Sequence, residues 1–253
     1  MSLAYAPRGL VGVLTPQANT TVEPEMALLL PRGFAMLNAR LTSPAATIEA
    51  RLLDYLRDLE ASLAQFANAP VSAFAFACTG ASYLAGPAEE DALVARIEAA
   101  RGVPMVTAAR AVCDAFAVLG ARRIGLVSPY PPALTQAAIG YWQARGFEVA
   151  RVAGAEQPAG AFHPIYAMSS ATAQGALEAL APDGIDAVVM LGTGMPTLTP
   201  IAAHPRVGRA PVLSCMLALA WRSALAAEGS TPDPAGLLAW ISGGAWRARL
   251  ALS

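Results

Sequence analysis

Charge is scarce in this chain. Aspartate, glutamate, lysine and arginine make up 14 % of 253 residues, and the formal net charge is −1. A nucleic-acid surface needs a basic face, and a polybasic membrane anchor needs a run of cations. The seventeen basic residues are scattered, with Arg122-Arg123 the only adjacent pair, so the sequence argues against both partners. Histidine and cysteine are scarcer still: His163 and His204, then Cys78, Cys113 and Cys215. These five residues fall at no metal-ligand spacing. An odd, sparse set of cysteines is not a disulfide framework, and a reducing cytoplasm is the compartment expected. Long hydrophobic runs are missing as well. "AFAFAC" and "DAVVMLG" are strand-length, against about 20 residues for a membrane span. The opening "MSLAYAPRGLVGVLTP" lacks the basic region and long apolar stretch of a signal peptide. Several catalytic templates are also absent. There is no P-loop and no Gly-x-Ser-x-Gly elbow, and "GTGMPT" is only a fragment of a dinucleotide fingerprint with no acidic residue at the right distance.

Apolar residues, in contrast, are plentiful at 55 %. Strand-like runs at 9–14, 34–41 and 71–77 alternate with helix-length stretches at 21–30, 47–67 and "EEDALVARIEAA". In the second of these, Ile48, Leu52, Leu56, Leu59 and Leu63 repeat at three and four residues. The alternation resumes with "RRIGLVS", "FEVARV", "IDAVVML" and "APVLS". Such a pattern predicts parallel sheets covered by helices, an α/β architecture.

The chain also resembles itself. "LTPQANT" and "VSPYPPA" place prolines 113 residues apart, at Pro16 and Pro129. "CTG" from Cys78 and "GTG" from Gly192 are 114 apart, and "VPMVTAA" and "APVLSCM" are 107 apart. The expected architecture is therefore two pseudo-symmetric, Rossmann-like parallel-sheet halves with the active site in the cleft between them. Residues 1–108 plus 216–253 are expected to form the first half, and 109–215 the second. In open parallel sheets ligands bind beyond the carboxyl ends of strands, and four of the repeated segments are strand-exit loops. Their N–H groups and the hydroxyls of Thr15, Thr20, Thr79, Ser82 and Thr193 would suit a carboxylate.

Cys78 is the leading nucleophile. It ends a strand before Thr79-Gly80, where helix N–H groups are expected to stabilise its thiolate and lower its pKa. Cys215 matches Ala108 in the repeat and opens the helical stretch "MLALAWRSAL", so it reads as packing, as does Cys113. Asn19 is either a helix cap or a hydrogen-bonding group in the cleft. Tyr130 is either a phenol donor or a packed turn residue. His163, ahead of a proline, reads first as a structural or surface histidine. Glu23 and Glu25 sit where acidic side chains favour a helix start. Cys78, His163 and Asn19 leave a Cys-His-Asn hydrolase open, with no spacing that favours it.

"GVLTPQANTTVEPE" at 12–25 resembles the opening of maleate cis–trans isomerases. "ACTGASYLAGP" resembles the first-cysteine loop of that family and of arylmalonate decarboxylases, "LVSPY" the loop bearing the active-site tyrosine, and "PVLSCMLALAWRSAL" the late strand and helix. The resemblance covers nearly the whole chain and places it in the aspartate/glutamate racemase superfamily. It implies a cofactor-independent enzyme, a small carboxylate substrate, and a homo-oligomer, dimer or tetramer. It also implies that Cys78 and Tyr130 are catalytic. Asn19, Thr15, Thr79, Gly80, Ser82, His163, Gly192 and Thr193 would then bind substrate. The family's second cysteine falls on Gly192 and an isomerase asparagine on His163. A single cysteine disfavours two-thiol racemisation. It suffices for addition of a thiolate to an alkene, rotation and elimination, or for protonating the enediolate left by a decarboxylation. The leading expectation is a maleate-isomerase-like enzyme, followed by an arylmalonate-type decarboxylase protonating the opposite face. After these come an amino-acid or hydantoin-type racemase using Cys78 with another acid/base such as His163, and a carboxylate-binding relative without activity.

Overall fold

A computed structural model describes residues 3–158, 163–244 and 246–251. Its first sheet holds β1 (Gly9–Pro16), β2 (Phe34–Leu41), β3 (Ala73–Phe76) and β4 (Met105–Thr107), all parallel, in the order β2-β1-β3-β4. The second holds β5 (Arg123–Ser128), β6 (Glu148–Gly154), β7 (Ala187–Met190), β8 (Arg206–Val207) and β9 (Ala210–Ser214), in the order β6-β5-β7-β9-β8. Only the two-residue β8 pairs antiparallel. Every residue of β1, β3, β7 and β9 is buried, as expected of apolar strands covered on both faces. The helices are α1 (Val22–Leu29), α2 (Ile48–Arg57), α3 (Leu59–Ser62), α4 (Thr79–Ala85), α5 (Pro87–Arg101), α6 (Ala108–Leu119), α7 (Pro132–Ala144), α8 (Ser170–Glu178), α9 (Leu198–Ala203), α10 (Cys215–Glu228), α11 (Pro234–Ile241) and α12 (Arg247–Leu250).

The repeat seen in the sequence is repeated in the hydrogen bonding. One residue past β3, Ala77 N donates to Leu14 O at 3.0 Å; one residue past β7, Leu191 N donates to Val127 O at 2.8 Å. Thr107 caps α6 through Arg110 N, and Ser214 caps α10 through Leu217 N, each at 3.1 Å. Both caps satisfy an N–H that the first helical turn would otherwise leave unpaired. The two capped helices pack on each other, and α10 also lies against β1, β3 and β4 of the opposite sheet. Contact on so many sides explains why the first two turns of α10 carry no polar face: Cys215 through Trp221 are all buried.

The helix predicted over 47–67 is interrupted at Asp58. Its N–H contacts the carbonyls of both Asp54 and Leu56, and the chain continues as α3 and a short 3-10 turn, Leu63–Phe66. The break lets Leu59, Leu63 and Phe66 reach the first sheet's core, where all three are buried.

Two carboxylates tie the halves together. Glu90 on α5 is 1 % exposed and pairs with Arg145 just past α7 at 2.9 Å. Glu25 on α1 accepts from Thr197 N at 2.7 Å and Leu198 N at 3.3 Å, capping α9 from the other half. Glu23, in contrast, pairs with Arg40 within its own half. Burial outweighs the three hydrogen bonds around Glu25 and raises its pKa from 4.5 to about 7. Between those values the folded state keeps a proton that the unfolded chain has released, so stability falls as pH rises and levels off above pH 7. The group accounts for a loss on the order of 3 kcal/mol across that window. Glu25→Gln keeps an acceptor oxygen without a titration. Urea unfolding of the variant between pH 4.5 and 7 is expected to show a flatter stability profile than wild type; parallel profiles would contradict the assignment.

Candidate active site

The carboxyl ends of β1, β3, β5 and β7 open into four loops that meet between the sheets. They bound a cleft of about 360 Å³ counted to its open mouth, within the range of small-molecule sites. Pro16, Cys78, Thr79, Gly80, Tyr130, His163, Gly192 and Thr193 line it, so residues drawn from both halves share one wall. Ile48, Leu52, Leu134 and Ile165 make the remaining surface apolar. No aspartate, glutamate, lysine or arginine is among the described residues of that lining.

The loops are locked to one another. Thr193 Oγ1 donates to Ala77 O at 2.7 Å, which places the second half's loop against the residue preceding Cys78. Asn19 Nδ2 donates to Thr193 Oγ1 at 3.4 Å, while its Oδ1 accepts from Thr21 N and Val22 N at 2.8 and 3.0 Å. The amide therefore closes the turn before α1 and joins that loop to Thr193, while Asn19 itself is not on the described cleft wall. Thr21 completes the seam by donating to Gly194 O at 2.8 Å.

Cys78 is the N-cap of α4 and is 3 % exposed. The expected low pKa is not found. Burial pushes the thiol up to about 12, and the hydrogen bond from Ala81 N–H offsets only part of that. A buried thiolate without a cation costs more than one backbone donor returns. His163 is held neutral for the same reason: burial first, then the Arg51 cation, bring its pKa down to about 4. Its ring stacks on Tyr166, with centroids 3.7 Å apart and planes 11° apart, and its Nδ1 is buried without a hydrogen-bond partner among the described residues.

Three hydroxyls expected in the cleft face elsewhere. Thr15 donates to Asn38 Oδ1 at 2.5 Å, because strand alternation puts it on the opposite face of the sheet from Pro16, which lines the cavity, and on the same face as its diagonal neighbour Asn38. Ser82 is wholly buried in α4 and is not on the cavity wall. Thr20 donates to Tyr166 O at 3.2 Å and likewise lies off the wall. Gly80 has a packing reason for being glycine, since a Cβ there would stand 3.0 Å from Leu52 Cδ1.

Sequence reasoning missed Tyr166, which lines the cleft. Burial raises its pKa and keeps the phenol neutral, an effect the nearby Asn19 amide offsets only in part. Tyr130 is the matching case: burial holds it protonated, and it shares a 2.9 Å hydrogen bond with Thr79 Oγ1. A neutral phenol can donate its O–H as well as accept at its oxygen, and the bond between Tyr130 and Thr79 can run in either direction. The cleft thus holds two uncharged donors, one beside each glycine of "GTG". Gly192 has φ +82°, and a Cβ on it would stand 3.2 Å from Tyr130 Oη and 3.1 Å from Pro129 Cγ. A Cβ on Gly194 would overlap the ring of Tyr166 at Cδ1 and Cε1. The glycines make room for the phenols.

Fold and cleft together define a two-sheet α/β protein with a cleft between its halves whose described lining carries no charged side chain. The sequence profile of the arylmalonate decarboxylase family matches residues 11–237, and the chain belongs to that family. Among curated proteins it is similar to the maleate isomerase of Geobacillus stearothermophilus, 28 % identical over 152 residues; the match spans 55 % of this chain and 60 % of that protein's length. Among solved structures it is similar to a maleate isomerase from Pseudomonas putida, with a TM-score of 0.79 at 25 % identity, covering 92 % of this chain and 99 % of that one. It also shares its fold with a cysteine-to-serine variant of the Nocardia farcinica maleate cis–trans isomerase that carries a covalently bound succinylcysteine intermediate. There the TM-score is 0.75 at 23 % identity, covering 88 % of this chain and 93 % of that one.

Gly194→Ala tests the cleft packing. The new methyl must displace the Tyr166 ring, and overpacking of this kind costs about 1–3 kcal/mol. The urea midpoint is expected to fall and the near-UV tyrosine dichroism to change. A variant with unaltered stability and spectrum would contradict the placement of Tyr166.

Proposed function

We propose that the protein is a cofactor-independent, maleate-isomerase-like enzyme that converts a small cis-unsaturated dicarboxylate to its trans isomer through Cys78. The observation that carries this reading is the position of Cys78: it is the one cysteine on the described cleft wall, and it faces a wall that also bears Tyr130 and Tyr166. Two neutral phenol donors suit a substrate with two carboxylates, one held by each. Asn19 and Thr193 position the loops that carry them. As the sulfur of Cys78 adds to one alkene carbon, the thiol proton passes to a carboxylate oxygen. The alkene electrons move into the enediol system of the other carbon, where a phenol donor stabilises them. The former double bond is now single and turns. Return of the electrons forms the trans alkene, breaks the carbon–sulfur bond and gives the proton back to sulfur. The similarity to maleate isomerases, one of them with a succinylcysteine adduct, supports this reading.

A second reading is favoured by the state of the thiol and the apolar surface. Cys78 is protonated at neutral pH, and Ile48, Leu52, Leu134 and Ile165 offer a poorly solvating environment for a departing carboxylate. An arylmalonate-type decarboxylase would lose carbon dioxide there, and the S–H bond of Cys78 would protonate the resulting enediolate.

Incubating wild type and Cys78→Ala with maleate and, separately, with phenylmalonate distinguishes the two. The isomerase reading expects fumarate by proton NMR, and a drop of roughly a thousandfold or more in Cys78→Ala, as for loss of a covalent nucleophile. Carbon dioxide from phenylmalonate without fumarate from maleate would replace it with the decarboxylase. Fumarate formation at the wild-type rate in Cys78→Ala would overturn the role of the thiol.

A further inference from the structure

The loop that brings Thr193 and Gly194 to the cleft is held by the first half at successive points. Asn19 donates to Thr193 Oγ1 at 3.4 Å, and Thr21 Oγ1 donates to Gly194 O at 2.8 Å. Glu25 Oε1 then accepts from Thr197 N and Leu198 N, where the loop enters α9. Thr21, the N-cap of α1, and Glu25 stand four residues apart, on one face of the helix start. Glu25 is buried and does not line the cleft. It borders a second cavity of about 500 Å³ counted to its open mouth, shared with Thr21, Pro196 and Leu198. The loop thus meets the cleft at one end and this carboxyl at the other.

The hydroxyl of Thr197 shows which form of Glu25 the contacts suit. Thr197 Oγ1 donates to Ser214 Oγ at 2.8 Å and lies 3.2 and 3.3 Å from the two oxygens of Glu25. A hydroxyl has one proton to give, and the shortest contact assigns it to Ser214. The 3.2 Å contact at Glu25 Oε2 then takes its proton from Glu25 itself. A protonated Glu25 satisfies these contacts together: Oε1 accepts from two backbone N–H groups, Oε2–H donates to Thr197, and Thr197 donates to the Ser214 cap of α10. An ionised Glu25 must draw the threonine hydroxyl away from Ser214 or leave a buried oxygen without a donor. We propose that Glu25 is a positioning residue for the isomerase: its protonated carboxyl fixes the loop that presents Thr193 and Gly194 to the cleft, and loss of that proton loosens the site. This extends the functional reading above and depends on it for its kinetic arm.

The charged groups of the surrounding elements are engaged elsewhere. Glu23 of α1 is turned to Arg40 of β2, and Arg222 and Glu228 of α10 pair with Asp114 and Arg8. Arg247 and Arg249 of α12 donate to backbone carbonyls, Glu178 of α8 meets His204, and α9 carries no ionisable side chain. Burial outweighs the hydrogen bonds of Glu25 and puts its pKa at about 7. The groups on the described cleft wall titrate well away from there, Cys78 at about 12, Tyr130 and Tyr166 above the ordinary phenol range, and His163 at about 4.

Glu25→Gln separates positioning from simple support, because an amide is a permanent mimic of the protonated acid. Its oxygen accepts from the two N–H groups, and its own N–H donates to Thr197 Oγ1. With maleate, wild-type kcat/KM is expected to fall about tenfold between about pH 6 and about pH 8.5, as for a small misplacement of a binding group. Glu25→Gln is expected to lack that fall. Ionisation of the substrate is common to both proteins and cancels in their ratio. A second arm needs no turnover. In nitrogen-15-labelled wild type, the amide resonances of Thr193 and Gly194 are expected to titrate with a midpoint near that of Glu25, and in Glu25→Gln to stay fixed. Thr197→Val removes the hydroxyl but keeps both N–H donors, and it should flatten the same titration, which covers the case in which Glu25→Gln fails to fold. A constant ratio of the two activity profiles, or cleft resonances that titrate alike in wild type and the variants, would overturn the proposal. A wild-type protein that leaves maleate untouched would refute the isomerase reading instead, and the resonances would then decide the role of Glu25 alone.

Discussion

The hydrogen bond from Thr193 Oγ1 to the carbonyl of Ala77 is the contact on which the site depends. It joins the exit loop of β7 to that of β3, one residue before Cys78, and so makes one surface out of two half-chains. Asn19 adds the exit loop of β1 by donating to the same hydroxyl. The position of Tyr130 relative to Cys78 follows from this seam, because Thr79, the next residue after Cys78, is the phenol's partner. The buried carboxylates Glu25 and Glu90 hold the halves together from the flanks, Glu25 on Thr197 and Leu198 and Glu90 on Arg145. An ordered cleft between two separately closed sheets needs such contacts, since no strand pairing crosses between the sheets among the described residues.

Desolvation governs the chemistry. Among the described residues of the lining there is no charged side chain, and burial moves its thiol, phenols and imidazole toward their neutral forms: Cys78 and Tyr130 up, Tyr166 up, His163 down. An anion entering such a site gives up hydration and must recover it from fixed dipoles. Fixed neutral donors serve this well in a poorly hydrated pocket, where each hydrogen bond is worth more than in water. The same neutrality makes His163 an acceptor or base at pH 7 rather than a charged acid. That weakens the racemase reading, in which it would oppose Cys78 as proton donor.

Much of this was legible in the sequence. Strand-length apolar runs marked seven of the nine strands, the match of "VPMVTAA" to "APVLSCM" marked an eighth, and the spacing between Pro16 and Pro129 marked the repeat, because parallel strands buried on both faces have a distinctive composition. The antiparallel β8 was not legible, since two residues carry no periodicity. Cys78, Thr79, Gly80, Tyr130, Gly192 and Thr193 were brought together as expected from their strand-exit positions, and His163 joined them. Thr15 and Ser82 were misplaced because strand and helix phase, not proximity in sequence, decides which way a hydroxyl points. Tyr166 left no signal in the sequence; only the structure shows its ring occupying the space that a side chain on Gly194 would need. The thiol pKa was wrong in direction because a list of neighbouring N–H groups says nothing about how much water the fold removes.

The central claim is that one thiol, at the cleft between the halves, forms a covalent bond with substrate. Mass spectrometry of protein quenched in acid during turnover of maleate, followed by peptide mapping, tests it directly. The account predicts a single adduct with the added mass of maleic acid, on the peptide containing Cys78 and absent from Cys78→Ala. An adduct on Cys215 or Cys113, or sustained fumarate formation by Cys78→Ala, would contradict it.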